Sequence, residues 1–426
     1  MGGLCFFLSA LEYMIPKPLP FIRIGLANLP LLLALDIFPF SYYMLLVALK
    51  VTGQALVSGT LFSYVFLFSI SGAGVSALLT YALRRSLGKE RISLIGISAA
   101  GALASNGVTL TLAYFFVFGA GVRYAAAPVL ALGIVTGTLL GLGCEYFIRR
   151  SRWYARAANT GLSDNRNIND LDEAAARYDN PEDSQGNNID EKKLPGAAAG
   201  NRSENFRKAR EAFFLKTFTS GELAMAGLCM APALLLNPDT HSRIAQFLFF
   251  FFLVWLSGKK NNLLVMVSVM FGIVFFNLLV PYGEILFSVG PLNITSGALM
   301  GGIRRAVTLE GLFMLSRCCV RQDLALPGTF GELAGESLRI FSVAAERKQF
   351  FKYRGPKPDA INLAERLDGL MISLETEESD RLATGSARQG SASQNSARPG
   401  KTARLGPRLI LAAGIILAWI PFIIRG

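Results

Sequence analysis

One helical face of this sequence carries Tyr43, Lys50, Gln54 and Ser58, spaced i, i+7, i+11 and i+15, with Lys50 near the middle of an apolar run. A charged side chain at the centre of a bilayer costs at least ~2.5 kcal/mol unless it is paired or hydrated. This face is therefore predicted to line a polar cavity. A later apolar run supplies Ser105, Asn106 and Thr109 at similar depth, and Arg23 and Asn28 flank the outer end of another. Together, Arg23, Asn28, Lys50, Gln54, Ser105, Asn106 and Thr109 predict a pocket open to the outside for a small polar or anionic solute. The competing reading has Lys50 snorkelling, or paired with Asp36 or Glu12.

Other chemistries lack their residues. The phosphate-cradling pattern GxxxxGK[ST] is approached at Gly400-Lys401-Thr402, but Asn395 stands in the place of its first glycine and no strand precedes it. The chain is expected not to hydrolyse ATP. The string closest to an aspartate-rich magnesium cluster, Asn169-Asp170-Leu171-Asp172-Glu173, falls in a polar stretch and is not read as a metal site. There is one histidine, His241, and the cysteines (Cys5, Cys144, Cys229, Cys318 and Cys319) have neither CxxC spacing nor histidine partners. No catalytic residue, metal or cofactor is expected, and the chain is read as a non-enzyme.

The elements that must position these residues are apolar runs. Of 426 residues, 52% are hydrophobic and 17% charged, a composition incompatible with a soluble globule that also contains so many long apolar runs. The expectation is an all-α, polytopic transmembrane protein, embedded in the lipid bilayer. Spans are predicted near 3–14, 25–38, 41–57, 60–83, 93–118 and 126–148. The first is read as a span rather than a signal peptide, because no basic region precedes it. Arg84, Arg85, Arg149, Arg150 and Arg152 mark the cytoplasmic ends, and the net charge of +12 is read as positive charge retained there, not as a nucleic-acid footprint.

From about residue 153 to 212 the chain turns polar and predicts a disordered cytoplasmic linker. A second group of spans is predicted near 217–236, 243–257, 262–280 and 297–319, with Lys259, Lys260, Arg317 and Arg321 inside and the 281–296 loop outside. A charged segment follows. It contains two amphipathic stripes, Ala334-Leu338-Phe341-Ala345 and Leu363-Leu367-Leu370-Leu374, read as a cytoplasmic platform at about 321–376. A flexible linker at about 377–406 and a last span complete the chain. Small residues at Gly133, Gly137 and Gly141, at Ala73 and Ala77, and at Gly101 and Ser105 predict close helix contacts. Arg304, Arg305 and Glu310 interrupt an otherwise apolar helix and are read as structural pairs or transport groups.

Three strings, FIRIGLANLPLLLAL (21–35), LLVALKVTGQALVSGTLFSYVFLFSISGAGVSALL (45–79) and LIGISAAGALASNGVTLTLAYF (94–115), resemble the Gx transporter family. That family also carries the label heptaprenyl diphosphate synthase component I and is related to the substrate-binding S components of energy-coupling factor (ECF) transporters. Lys50 stands where the family usually has arginine, and Ser105 where a histidine commonly precedes Asn106. The segment 278–316 with its following amphipathic stripes is similar to the transmembrane T component of those transporters, whose Ala-Arg-Gly-like motifs seat coupling helices on ATPases. The resemblance implies a six-helix S-like domain (1–152) and a T-like domain (213–426) of about five further spans with cytoplasmic coupling helices. It also implies that Arg354-Gly355, Arg347 and Arg388 contact separate cytoplasmic ATPase subunits, which alone would bind ATP. An ECF-type importer component in the multi-pass cytoplasmic membrane of a bacterium is thus the expected function. The alternatives are a membrane subunit of polyprenyl diphosphate synthesis and a scaffold without substrate.

Overall fold

The long apolar runs fold as helices, the form in which a segment satisfies its own backbone hydrogen bonds away from water. The computed structural model describes residues 1–14, 25–160, 200–259, 261–289, 292–321, 324, 328–346, 368–369, 371–373, 376 and 405–423. Its first half contains α1 (Gly2–Met14), α2 (Leu29–Ala34), α3 (Phe40–Ser58), α4 (Tyr64–Arg91), α5 (Leu94–Ala113), α6 (Val122–Arg150) and α7 (Arg152–Thr160). The second contains α8 (Gly200–Thr217), α9 (Ser220–Leu236), α10 (Thr240–Leu256), α11 (Leu263–Leu278), α12 (Ser296–Cys319), α13 (Gly328–Glu346) and α14 (Leu405–Ile423). Residues 40–58, 64–88 and 94–150 form helical stretches long and apolar enough to cross a membrane. The last of these folds back on itself, α5 against α6.

Glycines set the close approach of α5 and α6. A Cβ on Gly137 would lie 2.9 Å from Ala102 Cβ, and one on Gly141 would lie 2.5 Å from Ile95 Cα. The small-residue stripe therefore packs inside the first half. Gly101 does the same for α4, where its Cβ would meet Thr80 Cγ2 at 2.6 Å. The core of this half joins Leu33, Tyr43, Ile97, Cys144 and Phe147, and extends to Trp153 and Tyr154 of α7. Burial pushes the Tyr154 phenol up to about 12.

Several expectations are corrected. The 25–38 run is not a spanning helix: a turn at Leu26–Asn28 precedes a six-residue α2, about 9 Å long. Gly25, at φ 86°, and Pro30 confine the helix, and Leu31–Leu35 are buried in protein instead of facing lipid. The 281–296 loop contains an antiparallel hairpin, β1 (Ile285–Val289) with β2 (Leu292–Thr295). Residues 153–160 and 200–212, expected within a disordered linker, are helical. Asp368 caps α7, accepting from Ser151 Oγ at 2.5 Å, Trp153 N at 3.1 Å and Arg152 N at 3.2 Å.

The expected sidedness of the basic residues also changes. Arg84 binds Asp36, just ahead of the α3 N-terminus, whereas Arg317 lies over Gly59 at the opposite end of that 19-residue helix. The described basic residues of the second cluster are bonded to protein. Lys259 donates to the carbonyls of Arg317 and Val320, Arg317 to Asn261 Oδ1 at 3.2 Å, and Arg321 to Phe218 O at 2.8 Å.

Of the first amphipathic stripe, Ala334, Leu338 and Phe341 pack into the core of the first half. Gly2 and Gly3 of α1 abut Ser337 and Ile340 of α13. This stripe covers α1 and is not an open platform. The second stripe, Leu363 to Leu374, lies outside the described residues.

Candidate functional site

The polar residues of the first half converge on a cavity of about 100 Å³ between α2, α3, α4, α5 and α6. The turn before α2 brings Asn28 into it: Gly25 adopts the left-handed conformation and its carbonyl accepts Asn28 N at 2.8 Å. Lys50, only 6% exposed, donates from Nζ to Asn28 Oδ1. Asp36, one of the partners weighed for Lys50, is gripped by Arg84, with Nε at 2.9 Å from Oδ1 and Nη2 at 2.7 Å from Oδ2.

Gln54 lies one turn beyond Lys50 on α3 and also lines the cavity. Ser105, Asn106 and Thr109 form the α5 wall, approached by Gly72 of α4, whose Cβ would sit 2.9 Å from Ser105 Oγ. Asn106 has a second task. Its Nδ2 donates to Val129 O at 3.1 Å, tying α5 to α6 beside Gly133.

Six of the seven predicted pocket residues, Asn28, Lys50, Gln54, Ser105, Asn106 and Thr109, thus share one cavity. Arg23 lies outside the described residues, as do Arg347, Arg354, Gly355 and Arg388.

Sequence reasoning missed the part of the wall made by Ser76, Thr80, Ser98 and Thr136. Tyr43 Oη and Thr80 Oγ1 are hydrogen-bonded at 3.2 Å, joining α3 to α4 there. The signal was present in α4, where Ser76 and Thr80 are one turn apart beside Ala73 and Ala77. Ala73 and Ala77, whose spacing marks a packing face, also line the cavity. Among the described residues, the side chains of Gln54, Ser76, Ser98, Ser105 and Thr109 make no hydrogen bond with protein. Ser98 is buried and the other four are half-buried, lining a space where water or a ligand can bond them.

The ionisable residues of the second half are arranged differently. Arg305 donates to Asn277 Oδ1 at 2.6 Å rather than to Glu310. Arg243, which sequence reasoning did not single out, is buried and spends its guanidinium on Asn237 O at 2.6 Å, Thr308 Oγ1 at 2.5 Å and Leu235 O at 3.0 Å. These bonds hold α9, α10 and α12 together. No group of three His, Cys, Asp or Glu side chains converges as a metal site among the described residues.

Residues 1–147 match the family described as heptaprenyl diphosphate synthase component I. Residues 223–322 match a domain family of unknown function, DUF8519. No curated protein and no solved structure matches the chain.

Proposed function

We propose that this chain is the membrane portion of an ECF-type importer, in which the first half captures a small polar or anionic solute and the second half couples it to separate ATPase subunits. The observation that carries the reading is the cavity around Lys50, where one buried cation and several polar side chains face a space walled by apolar helices. Such intramembrane polarity is expensive and is retained where it meets a solute or water. The family match over 1–147 and the apolar helices support an S-component-like first half in a membrane, which in this reading is the cytoplasmic membrane of a bacterium. The chain itself performs no catalysis in this reading, and ATP acts only through its partners.

The test is uptake. The full chain, co-expressed with candidate ATPases from its genomic neighbourhood, is expected to copurify with them and support ATP-dependent accumulation of a solute identified by mass spectrometry. Lys50→Met is expected to abolish solute capture without preventing membrane insertion. Normal uptake by that variant would remove Lys50 from the site. The description of the matched family favours a second reading, a membrane subunit of prenyl diphosphate synthesis. Copurification with a prenyltransferase, and loss of its product on deletion of this chain, would support that reading instead.

A further inference from the structure

We infer that Glu310 is a proton-binding site of the second half, and that its ionisation redirects Arg317 away from the connection between α10 and α11. Burial is the first observation. Glu310 lies near the middle of α12, is 4% exposed, and forms no hydrogen bond or ion pair among the described residues. Ile303, Val307 and Met314 share its helical face at i−7, i−3 and i+4, and belong to one apolar cluster with Phe250 of α10 and Met270 of α11. An ionised carboxyl there would lose its hydration without compensation, so this packing accommodates the neutral acid.

The charges around it are the second observation. Of the elements packed against α12, α11 and β2 carry no charged residue. Glu222 of α9 is bonded to Arg408, and Arg243 of α10 is spent on Asn237, Leu235 and Thr308. On α12 itself, Arg305 is bonded to Asn277, while Arg304 stands by Arg243. Lys259 of the α10–α11 connection donates to two carbonyls. His241 of α10, Tyr64 of α4 and Tyr114 of the turn that follows α5 complete the titratable groups on these elements. Among the described residues, the charge whose field reaches Glu310 is Arg317, two turns further along α12.

Arg317 holds another partner in this packing. Its Nη1 donates to Asn261 Oδ1 at 3.2 Å, and its guanidinium lies 5.6 Å from the centre of the Phe313 ring. Asn261, in the α10–α11 connection, also donates from Nδ2 to Met314 Sδ at 3.3 Å, one turn from Glu310. The two turns between Glu310 and Arg317 span about 10 Å along the helix axis. Both side chains are long and stand on one face of α12, so together they can close that gap. Neutral Glu310 leaves Arg317 on Asn261. Ionised Glu310, its proton passed to water, draws the guanidinium into a charge-assisted pair and releases the connection.

The test begins with infrared spectra of the full chain in lipid nanodiscs near neutral pH. The wild type is expected to show the carbonyl band of a protonated carboxyl, missing in Glu310→Gln and shifted in Glu310→Asp. On raising the pH the band should decline, by about tenfold per unit once the site has begun to release its proton. A wild-type spectrum without the band, or a band kept in Glu310→Gln, would overturn the proton site. Should Glu310→Gln fail to fold, Glu310→Asp decides, and an unshifted band overturns the assignment.

Hydrogen exchange then tests the switch. At alkaline pH the α10–α11 connection should exchange about tenfold faster in the wild type than in Glu310→Gln at the same pH, and at mildly acidic pH the two should match. Equal exchange under alkaline conditions, or acceleration spread evenly over α9 and α14, would overturn the redirection of Arg317. Neither measurement depends on what the cavity of the first half binds.

Discussion

Asn277 joins the two halves by donating its Nδ2 to the Val117 carbonyl at 3.1 Å. The same amide group donates to Ile273 O at 2.7 Å, while its Oδ1 accepts from Arg305 at 2.6 Å. Val117 lies in a π-helical turn, Tyr114–Phe118, that follows α5. Arg305 then packs over Gly119, whose φ of 54° and missing side chain admit the guanidinium. The helix that forms one wall of the cavity is thereby attached to α11 and α12.

Replacing Asn277 with Leu should strip the Val117 carbonyl and the Arg305 guanidinium of this partner at a buried junction. An unsatisfied buried group costs ~1–3 kcal/mol, and more when charged, so a loss of about 3 kcal/mol is expected. Thermal unfolding in detergent should show a lower midpoint. An unchanged midpoint would show that the amide does not hold the halves together.

The glycines of α6 predict opposite effects two residues apart. Gly141→Ala drives a Cβ to 2.5 Å from the Ile95 backbone and should destabilise by about 1–3 kcal/mol through forced separation of α5 and α6. Gly143→Ala meets nothing within 4 Å and should be neutral or stabilising by up to about 1 kcal/mol. Equal effects in the two variants would contradict the packing described for this helix pair.

Asp36→Asn should leave the Arg84 guanidinium, 12% exposed, with a neutral partner in place of a carboxylate. Breaking one side of a buried pair costs ~3–5 kcal/mol, and the remaining exposure brings the expected loss to about 3 kcal/mol. The double variant Asp36→Leu with Arg84→Met should recover much of that stability. Additive losses in the double-mutant cycle would argue against direct coupling.

Asp368→Ala should free the N-terminus of α7 at a cost of about 1 kcal/mol. Its signature is local. Hydrogen exchange should accelerate in residues 152–156 but not in α5 or α6, and uniform acceleration would count against a capping role.

Burial holds the Lys259 ammonium below its ordinary value of 10.5, with Arg317 adding repulsion. The unfolded chain therefore binds more protons than the folded one between the lowered value and 10.5. In that window the contribution of this group to stability should rise with pH, and its cost is fully present below the folded value. Comparing unfolding midpoints of the wild type and Lys259→Gln across alkaline pH should show a shallower rise in the variant. Parallel curves would refute the assignment.

Much of the helical framework was legible in order and character because it follows from local hydrophobicity: the 41–57 run became α3, and the 126–148 run lies within α6. Six pocket residues were legible too, since polar groups stand out within apolar helices. Ser76, Thr80 and Ser98 were not, because small hydroxyl side chains mark either a packed helix face or a cavity wall, and only the neighbouring helices decide which. The short α2 was hidden for a similar reason: an apolar run reads alike whether lipid or protein covers it, and Leu31–Leu35 are covered by protein.

Sequence by itself determined which segments avoid water and which side chains are costly there, as the isolated Lys50 makes plain. Tertiary structure decided the partners: Arg84 rather than Lys50 for Asp36, Asn277 rather than Glu310 for Arg305, and α1 rather than an open surface for the Ala334 stripe. The physical reason is that burial cost is set largely by residue type, whereas hydrogen bonds and van der Waals contacts form only between groups brought within a few ångströms, through contacts remote in sequence.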